Sequence, residues 1–209
     1  MKIKVDINQL IENYDHEFDN EADWLNFHIN LMYNELHEIQ NTIYIFETVK
    51  KEWDRRIETG ERVNYSAIRT VLYTSLPYKI IIGLSKIFVG RKEFSLLKTI
   101  NKISQMDEYR NRIEVKKIID NIQKYLETNE MIRDITTYRD QFFAHLDKAC
   151  VISDCRIDAT IAMSPIDTSE IEKGIKLIGE LYEVCFNKCL SYSDKKILKK
   201  DIIFTFFWM

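Results

Sequence analysis

The most informative residues lie between positions 138 and 148. They read Tyr138-Arg139-Asp140-Gln141-Phe142-Phe143-Ala144-His145-Leu146-Asp147-Lys148. An imidazole is the side chain suited to moving a proton near neutral pH. A guanidinium is suited to holding a phosphate through two parallel hydrogen bonds. Together, Arg139 and His145 are the parts of a metal-free ribonuclease. Laid on a helix from 129 to 148 at about 100° per residue with Ile132 at zero, Ile135, Phe142, Phe143 and Leu146 fall at about 300°, 280°, 20° and 320°, one apolar stripe. Arg139 falls inside this stripe at about 340°, and His145 at its border at about 220°. Asp140 and Asp147 lie on the opposite flank, at about 80° and 60°. A guanidinium inside an apolar stripe needs compensation, because unpaired burial costs several kcal/mol. A carboxylate, a subunit boundary or a phosphate in a cleft would supply it. Two readings stay open: a buried ion pair with a hydrogen-bonded border histidine beside it, or an active-site pair.

The elements that must position these residues are helical. From Asn20, a helix-capping residue type, to Gly60, a helix-stopping one, Leu25, Ile29, Met32, Leu36, Ile39, Ile43, Phe46, Lys50, Trp53 and Ile57 recur in alternating steps of four and three. That heptad seam predicts one very long helix over 20–59, of about 55 Å, which needs a partner from this chain or a second one. A central helix follows over 65–89, kinked or restarted at Pro77 and apolar on nearly every side after it. Shorter helices are expected over 93–104 and 109–126, the latter with Ile113, Ile118, Ile119, Ile122 and Leu126 inward. The motif helix spans 129–148, and residues 149–164 read as a loop, with a short strand pair as the alternative. A C-terminal helix covers 166–191, capped by Asp167 or by Ser169 with Glu172 in a capping box. The apolar tail, 201–209, holds Ile202, Ile203, Phe204, Phe206, Phe207 and Trp208 and should dock on the bundle or on a second copy.

Composition agrees with an all-α chain folded as one domain over 1–209. Gly 5 and Pro 2 among 209 residues are far below average usage, and β-sandwiches, barrels and open sheets need many more turn residues. No Gly-x-Gly pair exists for a dinucleotide site. Gly174 and Gly179 have P-loop spacing, but Glu180 and Leu181 stand where Lys and Ser or Thr belong. A net charge of −3 exerts no global pull on nucleic acid or anionic lipid. The first residues lack the apolar core of a secretory signal, and the apolar run from Ile80 to Val89 is too short to span a bilayer. A cytoplasmic protein with no membrane partner and with free thiols is expected.

Metal and cofactor are expected to be absent. His16, His28 and His37 have no carboxylate three residues before them, and structural roles are expected for the last two. Cys150, Cys155, Cys185 and Cys189 fit zinc spacings poorly and read as small core residues. Lys195, Lys196, Lys199 and Lys200 read as a solvated face, with RNA contact as the alternative.

The 138–148 segment resembles the signature of the HEPN superfamily. It is most similar to the abortive-infection (Abi U-type) HEPN-like proteins, whose motif reads Arg, Asp or Asn, two residues, Phe-Ala-His, one residue, Asp. Leu72 through Pro77 to Phe88, with its Gly-Leu-Ser-Lys-Ile run, resembles that family's second helix. The close part of the resemblance spans residues 138–148, and a looser part residues 20–148. It implies an antiparallel helical bundle of about four core helices plus extras that dimerises, both motif helices lining one cleft. It also implies a metal-independent endoribonuclease, acting as a toxin in phage defence or beside a cognate antitoxin. Carried over, His145 is the general base or acid, Arg139 stabilises the phosphorane-like charge, and Asp140 orients one of them. Asp147 matches the family's acidic position, and Asp147 and Lys148 are supporting candidates. The branch paired with nucleotidyltransferases has Tyr where Asp147 stands, so control by nucleotide transfer is not expected.

Residues six apart on a helix differ by about 120° in azimuth and about 9 Å along the axis. Arg139 and His145 of one chain would not meet on one phosphate, whereas a two-fold dimer lets each site draw on both chains. A homodimer is therefore expected. Competing readings are a non-catalytic HEPN-like module binding RNA, nucleotide or protein, favoured by the acidic flank of the motif helix, and a purely structural helical protein.

Overall fold

The fold is that of a computed structural model, which describes residues 18, 20–61, 68, 70–90, 94–139, 166–192 and 202. Asp140, His145, Asp147 and Lys148, the expected loop over 149–164, Cys150, Cys155, the 195–200 lysines and all of the tail but Ile202 lie outside them. The described residues form six α-helices and one π-helical turn, with no strand among them.

Helix α1, Glu21–Glu58, is the long helix. Asn20 starts it by accepting the Asp23 N–H at 2.8 Å. Acidic residues fill its first turn and Arg55 and Arg56 its last, each at the pole of the helix dipole that suits its charge. Beyond the end, Gly60 turns at φ +70, where a side chain is disfavoured, and Glu61 N–H reaches back to the Arg56 carbonyl at 3.0 Å.

The buried stripe of α1 begins as the heptad seam does, with Leu25, Ile29, Met32, Leu36, Ile39 and Ile43. It then departs from the seam. By the last turns the buried residues are Val49, Trp53 and Arg56, because this end of the helix packs in a separate cluster with Ile68, Leu72 and Ile202, on another side than the main core. Ile57, expected inward, is 44% exposed. Arg56 enters because Glu52, one turn before it, accepts its Nε–H at 2.8 Å. Arg55 binds both Glu52 and Glu61, at 2.8 and 2.7 Å.

Helix α2, Leu76–Phe88, lies at the centre. The π-helical turn Val71–Ser75 precedes it, closed by Leu76 N–H to the Val71 carbonyl. Pro77 has no N–H and its ring crowds the carbonyl one turn back. The widened turn just before it accommodates the proline within a continuous helical path, Ser75 and Leu76 both being right-handed, whereas a kink or a restart was expected. Ile80, Ile81, Leu84, Ile87 and Phe88 are all buried. Gly83 lets α1 close in: a Cβ there would stand 2.8 Å from Ile39 Cδ1.

Helix α3, Leu96–Ile103, is capped by Ser95, which accepts Lys98 N–H at 3.3 Å. Helix α4, Ile113–Thr128, buries Val115, Ile118, Ile119 and Ile122. Ile113, expected inward, is 79% exposed, because α4 begins there and has no neighbour over its first residue. Helix α5, Glu130–Tyr138, packs on α2. Helix α6, Thr168–Phe186, packs on α1 and α4. Of the two cap candidates Asp167 serves, accepting Ser169 N–H at 2.9 Å. The helix stops at Phe186 rather than near Leu190, since Asn187 takes the left-handed conformation at φ 53. Cys185 is core as expected. Cys189, expected in the core, is exposed because it falls beyond this stop.

One large core joins all six helices. A second cluster at the far end of α1 holds Val49, Trp53, Ile68, Leu72 and Ile202, so the tail's Ile202 is buried against the long helix. After α6 the chain lies along α1, where the Tyr192 ring stacks on His37 at 4.4 Å and its hydroxyl donates to Glu38 at 2.9 Å.

Two outcomes test this packing. A Cβ at Gly174 would meet the buried ring tip of Phe88 at 2.8 Å, whereas at Gly179 the nearest atom is Tyr33 Cε2 at 3.9 Å. Gly179→Ala should therefore raise stability by about 0.5–1 kcal/mol, and Gly174→Ala should lower it, both read by urea denaturation. The second concerns Glu52. Arg55 foremost, and Arg56 with it, hold its carboxyl down at about 2 against the burial that raises it. A depressed native pKa stabilises above the ordinary value and loses that effect as pH falls toward the depressed one. Glu52→Gln should thus lower Tm most above pH 5, with the gap to wild type closing toward pH 2.

Candidate functional site

Arg139 is carried by α5, and α5 is set by its first turn. Asn129 Oδ1 accepts Ile132 N–H at 3.3 Å, which caps the helix. The same side chain's Nδ2 donates to Glu170 Oε2 on α6 at 2.6 Å. Tyr125 Oη donates to the Glu170 backbone carbonyl at 2.7 Å. Burial foremost, then the Glu170 charge, pushes the Tyr125 phenol far up, so it remains a donor. Glu170 also pairs with Lys173. The α4–α5 corner is thereby tied to the start of α6. Met131, Ile132 and Ile135 are buried, so α5 leaves that corner against α2 in one orientation.

Arg139 follows directly, still right-handed at φ −56 and ψ −50, its N–H bonded to the carbonyls of Ile135 and Thr136. The stripe reading put it fully inside the apolar face. It is half-buried instead, on the rim of an open groove. The groove has a volume of about 1050 Å³. Leu31 and Glu35 of α1 form one side, Lys86 and Gly90 at the end of α2 another, and Phe94 and Arg139 stand on it as well. Much of the lining is hydrocarbon. Its charged members among the described residues are Glu35, Lys86 and Arg139, two cations to one carboxylate. A guanidinium and an ammonium are groups that bind phosphate, and the apolar wall suits a ring beside it.

A second cavity, of about 540 Å³, opens at the α4–α5 corner. Glu130, Asp134, Asp167 and Glu170 line it against Lys173. Among the described residues its charge is net negative, which disfavours phosphate. The two openings are thus sorted by sign, and the one suited to an anion is the one Arg139 borders.

The structure brings Arg139 together with three groove residues that motif reasoning passed over: Glu35, Lys86 and Phe94. Lys86 sat inside the apolar run that marked the central helix. Phe94 fell inside the helix expected over 93–104, whereas the structure starts that helix at Leu96 after the Ser95 cap and leaves Phe94 in the turn before it. Asp140, His145, Asp147 and Lys148 lie outside the described residues. His28 has the structural role expected: it is buried, and its Nδ1 is 2.8 Å from the Trp24 carbonyl. Burial pushes the Cys185 thiol up to about 12, so it is protonated at neutral pH and a poor nucleophile.

Among the described residues no group of three or more His, Cys, Asp or Glu side chains could hold a metal ion. No described helix is long and apolar enough to cross a membrane. No protein-family model, no curated protein and no solved structure matches the chain.

The Asn129 link is testable by itself. Asn129→Ala removes cap and cross-link and should cost about 1–2 kcal/mol in urea denaturation. Asn129→Asp keeps the cap acceptor but sets a carboxylate against Glu170. It should be less stable than wild type at pH 7 in urea denaturation, although the cap is kept.

Proposed function

We propose that this chain is a HEPN-type helical domain that forms a homodimer and cleaves RNA without a metal ion, as a toxin or antiphage-defence effector. The observation that carries the reading is the position of Arg139. Its side chain stands on an open groove with Lys86, rather than beneath packed hydrocarbon. The resemblance of residues 138–148 to the family signature supplies the rest.

In this reading, His145 takes the proton from a ribose 2′-hydroxyl. The 2′-oxygen attacks the adjacent phosphorus, and the bond to the 5′-oxygen breaks. That oxygen leaves with a proton from a general acid, giving a 2′,3′-cyclic phosphate and a free 5′-hydroxyl. Arg139 meets the extra negative charge of the five-coordinate phosphorus. Asp140 orients the pair, with Asp147 and Lys148 in support. The two-fold dimer brings the histidine of one protomer to the arginine of its partner, which the spacing along one helix does not do. A cognate antitoxin or defence protein is the expected regulator.

Glu35 favours a second reading. A carboxylate in the same groove weakens the hold on phosphate, and a non-catalytic HEPN-like module binding RNA, nucleotide or protein would tolerate it.

The two are separated by incubating the purified protein with RNA in excess EDTA. Cleavage leaving 2′,3′-cyclic phosphate ends is expected. Arg139→Ala and His145→Ala should each reduce it by about 100-fold or more, with Tm within about 2 °C of wild type. RNA binding without any cleavage would transfer the conclusion to the module.

A further inference from the structure

We propose that Phe94 is a stacking platform for one unpaired RNA base, with Lys86 and Arg139 holding the adjoining phosphate, so that the groove selects single-stranded RNA. The inference rests on the RNA reading of the groove and adds the form of RNA that it accepts.

Phe94 is 41% exposed on the groove, yet its ring is held in place. It stacks on His28, with centroids 5.3 Å apart and planes at 25°. His28 stacks in turn on Trp24, at 4.0 Å and 27°, and Phe27 meets it edge-on at 5.4 Å. Lys102 Nζ lies 3.8 Å from the centre of the Trp24 ring. Three near-parallel rings are therefore linked from the base of α1 out to the groove. A ring already ordered by such contacts loses little further freedom when a base lands on it. Every base has a π-face, so the contact is tolerant of sequence. In a duplex both faces of each base are covered by neighbours, and that base reaches Phe94 only after unstacking.

The charges complete the fit. Lys86 sits in the last turn of α2, and Arg139 just past the end of α5. Both border the groove that Phe94 borders. They hold the backbone phosphate next to the stacked base. Glu35, which weakens a purely anionic ligand, is an acceptor for the N–H edge of that base. One nucleotide thus uses the aromatic wall, both cations and the carboxylate.

The test uses a fluorescently labelled, cleavage-resistant 2′-O-methyl RNA hexanucleotide and anisotropy titration of the full chain. The single strand should bind more tightly than a blunt hairpin. An abasic nucleotide at its centre should weaken binding. Phe94→Leu, which keeps an apolar side chain there, should lose about tenfold in affinity, as one stacked base is worth, while Phe94→Trp retains it. Lys86→Ala should weaken every single strand alike and reduce the salt slope of log Kd by about one. Wild-type affinity in a folded Phe94→Leu variant, or equal affinity for strand and hairpin, overturns the inference. Failure of the nuclease reading looks different. Phe94-dependent binding with no cleavage of ordinary RNA leaves the platform standing and removes the catalysis. Cleavage that ignores Phe94 does the reverse, and absence of both binding and cleavage removes both.

Discussion

A helix with hydrocarbon on most of its sides persists in water only if other helices cover those sides, and α2 is such a helix, leaving outward only the stripe that holds Tyr78, Lys79 and Lys86. Most of the architecture follows from that requirement. Gly83 admits the α1 side chain Ile39 at a distance that a Cβ would forbid. At the other end, the Phe88 ring reaches Gly174 of α6 and meets Tyr125 of α4 edge-on at 5.7 Å. Helix α5 covers a further side. The π-helical turn before Pro77 lets the chain enter this enclosed helix without a clash at the proline. Where α2 ends, at Gly90, its enclosure ends too, and the groove opens there.

The groove is therefore a boundary of the core. Ile132 and Ile135 are buried and Arg139, one turn later on the same face, is half-buried at the edge. A cation in that position has apolar wall on one side and solvent access on the other. Such a setting keeps electrostatic attraction strong without the full cost of burying a charge. The amide of Asn129 adds direction: it caps α5 and binds α6, so the line from the α4–α5 corner to Arg139 is held at both ends.

Charge is also distributed by position. The acidic cavity and the groove with two cations lie at opposite ends of the short helix α5. A net charge of −3 for the whole chain conceals this separation. What an anionic ligand meets is the local field, which screening limits to about 8–10 Å under ordinary salt. The Glu52–Arg55–Arg56–Glu61 network stands elsewhere, at the far end of α1, where it allows Arg56 to be buried beside the smaller apolar cluster.

Local patterning was enough to make the described elements helical. The scarcity of Gly and Pro, the caps at Asn20 and Asp167, the disturbance at Pro77 and the apolar character of α2 are each legible within a few residues, because capping and periodicity act over one or two turns. The anomaly of Arg139 was legible for the same reason. Other features depend on neighbours distant in the chain. Ile113 and Ile57 fit their stripes, yet lie exposed, with no described helix over them. Cys189 lies outside the core because α6 stops at a left-handed Asn187. Glu35, Lys86 and Phe94 carry no motif and share a groove only because α1, α2 and α5 stop covering one another at that point. The chain by itself decided which segments coil and which faces are oily; the tertiary structure decided where covering stops, since burial belongs to pairs of surfaces and not to either one alone.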